Sequence, residues 1–126
     1  MEPTISLAME GSVAVATLCR PPVNAINEAW VDRLNEVLDE VAQAGQIGVL
    51  RIRSSGRAFC AGADLALMRS IFDSAAGRER MIALTRRMQE VFARLEALPQ
   101  VTLAEIGGSA MGGGCELALA CDLRIV

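Results

Sequence analysis

Histidine and tyrosine are both missing from the 126-residue sequence. Without histidine, neither a Ser-His-Asp nor a Cys-His unit can be assembled from this chain alone. The imidazole ligands that zinc and haem sites commonly use are missing as well. Acid–base chemistry must therefore use carboxylates, and any developing oxyanion must be stabilised by backbone N–H groups.

Aromatic side chains and blocks of basic residues are also scarce. Aromatics make up 3% of the residues, and 15 Asp and Glu exceed 12 Lys and Arg, for a net charge of −3. A nucleic-acid-binding surface needs clustered positive charge and, for single strands, stacking platforms. The sequence provides neither, so we expect no nucleic-acid partner.

Signals for export, membrane insertion and metal binding are lacking too. The start, Met1-Glu2-Pro3-Thr4, has no basic segment followed by an apolar run, and no apolar run has the length of a membrane span. None of the four cysteines forms a C-x-x-C pair, so we expect no metal site. We interpret the cysteines as reduced thiols of a cytoplasmic protein. They are Cys19, Cys60, Cys115 and Cys121.

Periodic apolar patterns predict alternating strands and helices. A loosely alternating run at 5–9 and a run rich in β-branched residues at 13–19, on either side of Glu10-Gly11-Ser12, predict a hairpin, and Asn27 is the predicted N-cap of the first helix. A β-α-β arrangement follows, which is typical of an α/β fold with crossover helices. The predicted strands cover 5–9, 13–19, 47–52, 101–106 and 123–126, the long helices 28–44 and 78–98, and a short helix 116–120, with the stretch up to Ala76 helical in places.

Each long helix has a single apolar stripe at a spacing of three and four residues. These stripes predict the faces that pack against the core. The first consists of Trp30, Leu34, Val37, Leu38 and Val41, and the second of Met81, Leu84, Met88, Val91, Leu95 and Leu98.

Two glycine-containing segments, 59–65 and 107–114, lie where a strand gives way to a helix. Amides at a helix start have no internal acceptor, and glycine lets a ligand approach them closely. Two such turns that converge can hold one oxygen from both sides, which is an oxyanion hole. The residues alone also fit a close-packed structural turn, because the run at 112–114 matches no phosphate-binding pattern.

Four segments together resemble the enoyl-CoA hydratase/isomerase (crotonase) family in their order and spacing. They are RPPVNAIN at 20–27, FCAGADL at 59–65, GGSAMGGGCEL at 107–117 and CDLRI at 121–125. The resemblance covers essentially the whole chain. It implies an α/β, crotonase-like ββα spiral fold, with residues 1–126 forming one domain that is truncated before its C-terminal half.

The resemblance also implies roles for individual residues. Ala63 and Gly113 would donate their N–H groups to the thioester oxygen of the substrate. Glu116 matches the first of the two catalytic glutamates of hydratases, although the residues alone also allow a helix-dipole role. The implied acyl-CoA contacts are Val23, Ala25, Ala61, Ala63, Asp64, Leu65 and Gly113.

The activity implied is hydration of a 2-enoyl-CoA thioester by a trimer or hexamer, with coenzyme A part of the substrate and no other cofactor. The alternatives are another reaction of the family (isomerisation, hydrolysis or decarboxylation) or an inactive CoA-binding or assembly fragment. The second catalytic glutamate would lie beyond Val126. We also expect the isolated chain to self-associate.

Glu105 stands where the family usually has a small apolar residue, so its carboxylate must find a partner or the surface.

Overall fold

The computed structural model describes residues 3–61 and 64–126. It contains a five-stranded sheet in which the spatial order of the strands equals their order in the chain. The first two strands form an antiparallel hairpin, and each later strand pairs in parallel with its predecessor. The strands are β1 (Ile5–Glu10), β2 (Val13–Leu18), β3 (Val49–Ser54), β4 (Val101–Glu105) and β5 (Leu123–Ile125), and the helices are α1 (Glu28–Gln43), α2 (Leu65–Phe72), α3 (Ala75–Glu96) and α4 (Gly113–Ala120).

The first helix and the hairpin form as their sequences predict. Gly11 forms the turn of the hairpin with φ +62, a backbone conformation that residues with a Cβ rarely adopt. Asn27 caps α1 by accepting the Trp30 N–H at 2.9 Å, which confirms the predicted cap. All members of the predicted α1 stripe are buried, together with Val31.

Several element boundaries differ from the predictions; for example, α4 begins at Gly113, three residues before the predicted helix start. β3 begins at Val49, because the Ile47 N–H donates to the Ala44 carbonyl in the turn that follows α1. α3 begins at Ala75, because Ser74 acts as its N-cap and accepts the Gly77 N–H at 3.1 Å. The predicted α3 stripe is also wrong at one end: Met81 is 37% exposed, and the buried face includes Phe92 instead.

The core lies on one face of the sheet. Alternate residues of β2 and β3 are buried there, and α1 and α3 contribute their buried residues to the same core. The carboxyl ends of β2, β3 and β4 then meet at one edge of the sheet. The three segments that follow these strands, 20–27, 55–61 and 106–112, therefore come together at this edge.

Exposed ion pairs join α1 to α3 along their length. Such pairs contribute little stability individually, but their partners follow one another in the same order along both helices, as expected for two helices that run parallel. The pairs are Glu28–Arg80, Asp32–Arg87 and Asp39–Arg94.

No helix within the described ranges is both long enough and apolar enough to cross a bilayer.

Glu105 finds a partner on the neighbouring strand. Its carboxylate accepts two hydrogen bonds from Arg51, at 2.8 and 2.9 Å, in a bidentate pair on the half-exposed face of the sheet. The requirement stated from the sequence is thus met by an ion pair. The Arg51 hydrogen bond holds the pKa of Glu105 below its usual range.

This ion pair predicts an acid-sensitive contribution to stability. Because the pKa of Glu105 is lower in the folded state, the contribution is present above the unfolded value, about 4.3, and is lost as the pH falls through the folded value. Glu105→Gln is therefore expected to lower the unfolding midpoint at pH 7 and to approach wild type near pH 3. Circular-dichroism melts between pH 3 and pH 7 measure this.

The matched control is Glu40→Gln, at an exposed position on α1. Its unfolding midpoint should follow the wild-type curve at every pH. Equal midpoints for Glu105→Gln and wild type at pH 7 would show that the Arg51 pair does not stabilise the fold.

Candidate active site

Two short segments run side by side at the carboxyl edge of the sheet. The N–H groups of Phe59 and Cys60 donate to the Ser109 carbonyl at 3.0 and 3.1 Å, and the Met111 N–H donates to the Cys60 carbonyl at 3.1 Å. Cys60 and Ala110 form a parallel bridge. The predicted adjacency of the two glycine-containing segments is confirmed by these contacts.

Ala63, one of the two predicted oxyanion donors, lies outside the described residues, as does Gly62. The distance between the Ala63 and Gly113 nitrogens is therefore not described. Ala61 does fall within the description, and its N–H donates to the Val23 carbonyl at 2.8 Å. The Ala61 amide therefore links the segment at 59–61 to the turn at 20–27, and both contain predicted substrate-binding residues.

The start of α4 approaches the Cys60 segment more closely than any side chain would allow. A Cβ on Gly114 would lie 1.8 Å from the Cys60 carbonyl oxygen. Just before it, Gly112 has φ +57 and serves as the helix N-cap without a side-chain hydrogen bond. Glycine is therefore required twice in this turn, once for close approach and once for backbone conformation.

Gly113 is the first residue of α4. Within residues 3–61 and 64–126, its N–H has no hydrogen-bond acceptor, whereas the Gly114 and Glu116 N–H groups donate to Met111 and Gly112 carbonyls at 3.0 and 3.1 Å. An unpaired amide at a helix start favours an anion or a polarised oxygen. The arrangement can therefore provide one oxyanion donor.

A cavity of about 120 Å³ adjoins this amide. Its lining is mostly apolar and flexible, because it includes four of the chain's six methionines. Three predicted site residues, Ala61, Asp64 and Gly113, lie in this lining. The lining residues are Ile26, Cys60, Ala61, Asp64, Leu67, Met68, Met81, Leu84, Met88, Met111, Gly113 and Gly114.

A second pocket, of about 290 Å³, contains most of the predicted CoA contacts. It lies where the turn after β2 meets the start of α2, and it shares Asp64 with the methionine-lined cavity. The structure thus brings Val23, Ala25, Asp64 and Leu65 together in one pocket, while their contact with CoA stays a prediction. The lining residues are Arg20, Pro21, Pro22, Val23, Ala25, Asp64 and Leu65.

Asp64 connects these surfaces as a structural anion. Its Oδ1 accepts the Leu67 N–H at 3.0 Å at the start of α2, and its Oδ2 accepts Arg20 Nη2 at 2.7 Å. The Leu67 N–H, followed by the Arg20 guanidinium, holds the pKa of Asp64 below its usual range. A carboxylate that is paired twice in this way is a poor base, so its role is to join α2 to the turn at 20–27.

The buried thiol beside the cavity is not a nucleophile. Burial raises the pKa of Cys60 to about 11, so the group stays protonated at neutral pH. Its Sγ lies 3.2 Å from the Asn24 carbonyl, to which it donates. Among the described residues, no group of three or more His, Cys, Asp or Glu side chains is placed to hold a metal ion.

Glu116 is exposed in the first turn of α4. It lies three residues after Gly113, so the two positions share one face of the helix. Glu116 is not among the residues that line the methionine-lined cavity or the second pocket, so its approach to a bound ligand stays a prediction. The geometry also keeps the helix-dipole interaction open, since the group lies near the positive end of α4.

The sequence interpretation missed two residues that organise the site. Asn24 is 3% exposed and has φ +58. Its side chain accepts a hydrogen bond from the Arg20 N–H and donates one to the Phe59 carbonyl. Arg20 donates to the Ala25 carbonyl at 2.5 Å as well as to Asp64. The only sequence signal for either was its place in the segment at 20–27, because their partners lie up to 44 residues away.

Comparison with known proteins identifies relatives of this chain. The family model described as enoyl-CoA hydratase/isomerase matches residues 8–126. A "Probable enoyl-CoA hydratase" of Bacillus subtilis is 39% identical over 121 residues, covering 96% of this chain and 45% of the relative. A "Crotonyl-CoA hydratase" of Syntrophomonas wolfei is 37% identical over 123 residues, covering 96% and 45%.

Solved structures show the same arrangement of elements. An enoyl-CoA hydratase from Shewanella pealeana superposes with a TM-score of 0.87 at 27% identity, covering 96% of this chain and 45% of that one. One from Bacillus anthracis gives a TM-score of 0.85 at 31% identity, covering 96% and 46%. The chain thus has the α/β crotonase fold and spans a little under half the length of the relatives it matches, in their N-terminal portion.

Proposed function

The chain belongs to the enoyl-CoA hydratase/isomerase family, and we propose that the whole protein adds water across the double bond of a 2-enoyl-CoA thioester. The observation that carries the proposal is the Gly113 amide at the start of α4, beside a methionine-lined cavity. Hydration places negative charge on the thioester oxygen. A donor aimed at that oxygen lowers the barrier, and one such donor typically contributes about 3–4 kcal/mol.

The thioester carbonyl is proposed to accept the Gly113 N–H, with the Ala63 N–H as the second donor. The acyl chain would extend into the cavity of about 120 Å³. Its methionine walls suit a chain of variable shape, because thioether side chains adapt their rotamers readily. The pantetheine arm would follow the pocket that Val23, Ala25 and Leu65 line.

Glu116 is proposed to activate the attacking water. Its place one helical turn from Gly113 supports a position near the reacting double bond. The carboxylate would accept a proton from the water as its oxygen bonds to the β-carbon of the substrate. The enolate-like electron density then lies on the thioester oxygen, where the backbone donors stabilise it. Transfer of the proton from Glu116 to the α-carbon would complete the 3-hydroxyacyl-CoA and regenerate the carboxylate.

We also propose a homo-oligomer, a trimer or hexamer, located in the cytoplasm. Free thiols at all four cysteines are compatible with a reducing compartment. Some relatives are named as mitochondrial, including the human "Enoyl-CoA hydratase domain-containing protein 2" at 37% identity. Sedimentation of the full-length protein, and fractionation of the cells that produce it, test these two proposals.

The full-length protein with crotonyl-CoA provides the test of the activity. Hydration removes the conjugated double bond, so the absorbance of the enoyl thioester should fall at a rate proportional to protein concentration. With a 3-enoyl-CoA, an isomerase would instead create the conjugated band and raise the absorbance. Binding of CoA thioesters without either change would contradict the hydratase proposal and favour a binding or assembly role.

A further inference from the structure

Asn24 lies at the centre of the contacts between the turn at 20–27 and the Phe59–Ala61 segment. Its side chain is almost entirely buried, with 3% of the residue exposed. Nδ2 donates to the Phe59 carbonyl at 2.8 Å and to Ser54 Oγ at 2.9 Å, and Oδ1 accepts the Arg20 N–H at 2.8 Å. Both N–H groups of this side-chain amide therefore donate a hydrogen bond, and its oxygen accepts one.

The backbone of Asn24 contributes as well. Its N–H donates to the Arg20 carbonyl at 2.8 Å, and its carbonyl accepts Cys60 Sγ at 3.2 Å. The φ of +58 lies in the left-handed region, where asparagine is tolerated better than most other residues with a Cβ. The conformation closes the turn tightly and aims the side chain across the sheet edge.

A short chain of contacts leads from Asn24 to the proposed oxyanion donor. Asn24 holds Phe59, and the next residue, Cys60, accepts the Met111 N–H at 3.1 Å. The same Cys60 carbonyl packs against the α-carbon side of Gly114, where no Cβ would fit. Gly113 lies between these two contacts, so a shift of the Cys60 segment moves its amide.

We propose that Asn24 is a positioning residue for the Gly113 amide, acting through Phe59 and Cys60. This inference rests on the proposed function, because it assumes that the amide polarises a thioester carbonyl. Asn24 itself touches neither the reacting atoms nor the methionine-lined cavity. Its loss should therefore weaken polarisation of the carbonyl more than binding of the substrate.

The first variant is Asn24→Gly, which keeps the left-handed backbone available and removes the amide. The second is Asn24→Asp, which keeps the shape and the acceptor for the Arg20 N–H. It places an oxygen against the Phe59 carbonyl, while Ser54 can still turn its hydroxyl to donate. In the full-length protein, both variants are expected to lower kcat about 10- to 100-fold, with KM changed less than about threefold.

A spectroscopic readout separates positioning from a general loss of structure. The absorption band of a bound 2,4-dienoyl-CoA moves to longer wavelength when hydrogen bonds polarise its carbonyl. Wild type should show this shift, and both Asn24 variants should lose most of it at saturating ligand. The matched control is Asn35→Asp, the same change on α1, where the side chain contacts Val31 and Arg94; it should keep both kcat and the shift.

The outcomes keep the two proposals apart. If wild type hydrates crotonyl-CoA and the Asn24 variants retain kcat and the spectral shift, the positioning role is wrong and the hydratase stands. If wild type does not hydrate but shows a shift that the variants lose, the positioning role stands and the hydratase is wrong. Absence of both the activity and the shift in wild type overturns both. Should Asn24→Gly fail to fold, Asn24→Asp decides.

Discussion

Gly114→Ala is expected to reduce kcat/KM of the full-length protein by at least about 100-fold, the effect of misplacing a catalytic group by about an ångström. The added Cβ would lie 1.8 Å from the Cys60 carbonyl oxygen and 2.6 Å from its carbon. Both atoms belong to the backbone, so no side-chain rotation relieves the contact. The start of α4 must move away from the Cys60 segment, and the Gly113 amide moves with it.

The same change is expected to destabilise the fold, since inserting one carbon into a packed site typically costs about 1–3 kcal/mol. Steady-state hydration of crotonyl-CoA and a urea unfolding curve measure the two effects separately. Wild-type values of both would show that the two segments do not pack as described.

Two other glycines of the same turn serve as controls for Gly114→Ala. Gly107→Ala should be silent, because a Cβ there meets no heavy atom within 4 Å and its φ is not left-handed. Gly113→Ala should be intermediate. Its Cβ would meet the ends of two flexible side chains, Ile26 Cδ1 at 2.7 Å and Met88 Cε at 2.9 Å, which can shift at the expense of the cavity.

Glu116→Gln is expected to lower kcat by about 100- to 10,000-fold, the range for loss of a positioned general base. The amide keeps the shape of the side chain and its place in the first turn of α4, so KM should change little. Steady-state hydration of crotonyl-CoA by the full-length variant measures both constants. The result would assign the water-activating role to this carboxylate.

Glu90→Gln is the matched control, at an exposed position on α3. It should leave kcat unchanged. If Glu116→Gln retains wild-type kcat but unfolds at a lower temperature, Glu116 is a helix-dipole partner and not a base.

The sequence is a good guide wherever local patterns decide the structure. The hairpin, the Asn27 cap and the apolar stripe of α1 depend on residues within a few positions of one another, and all were predicted. The start of α3 was missed because Ser74 was not recognised as a cap. Ser, Thr, Asp and Asn occur in many loops, and only the backbone conformation decides which of them cap a helix.

The candidate site was only partly predictable, for a different reason. The family motifs located Ala61, Asp64 and Gly113, and the structure places all three at the same cavity. The contributions of Asn24 and of the Arg51–Glu105 pair depend on partners 35 and 54 residues away. Single-sequence patterns carry no information about such partners, so the sequence predicted neither contact.

The equality between strand order in space and strand order in the chain has a consequence for biosynthesis. Each strand can pair with one that has already left the ribosome, so the sheet can grow without waiting for a later segment. The turn at 20–27 emerges first, the Phe59–Ala61 segment docks on it, and the start of α4 docks on that segment. Once the residues before Gly113 have left the ribosome, and before α4 has done so, the nascent chain should therefore contain strands β1 to β4 of the sheet and no oxyanion donor from α4.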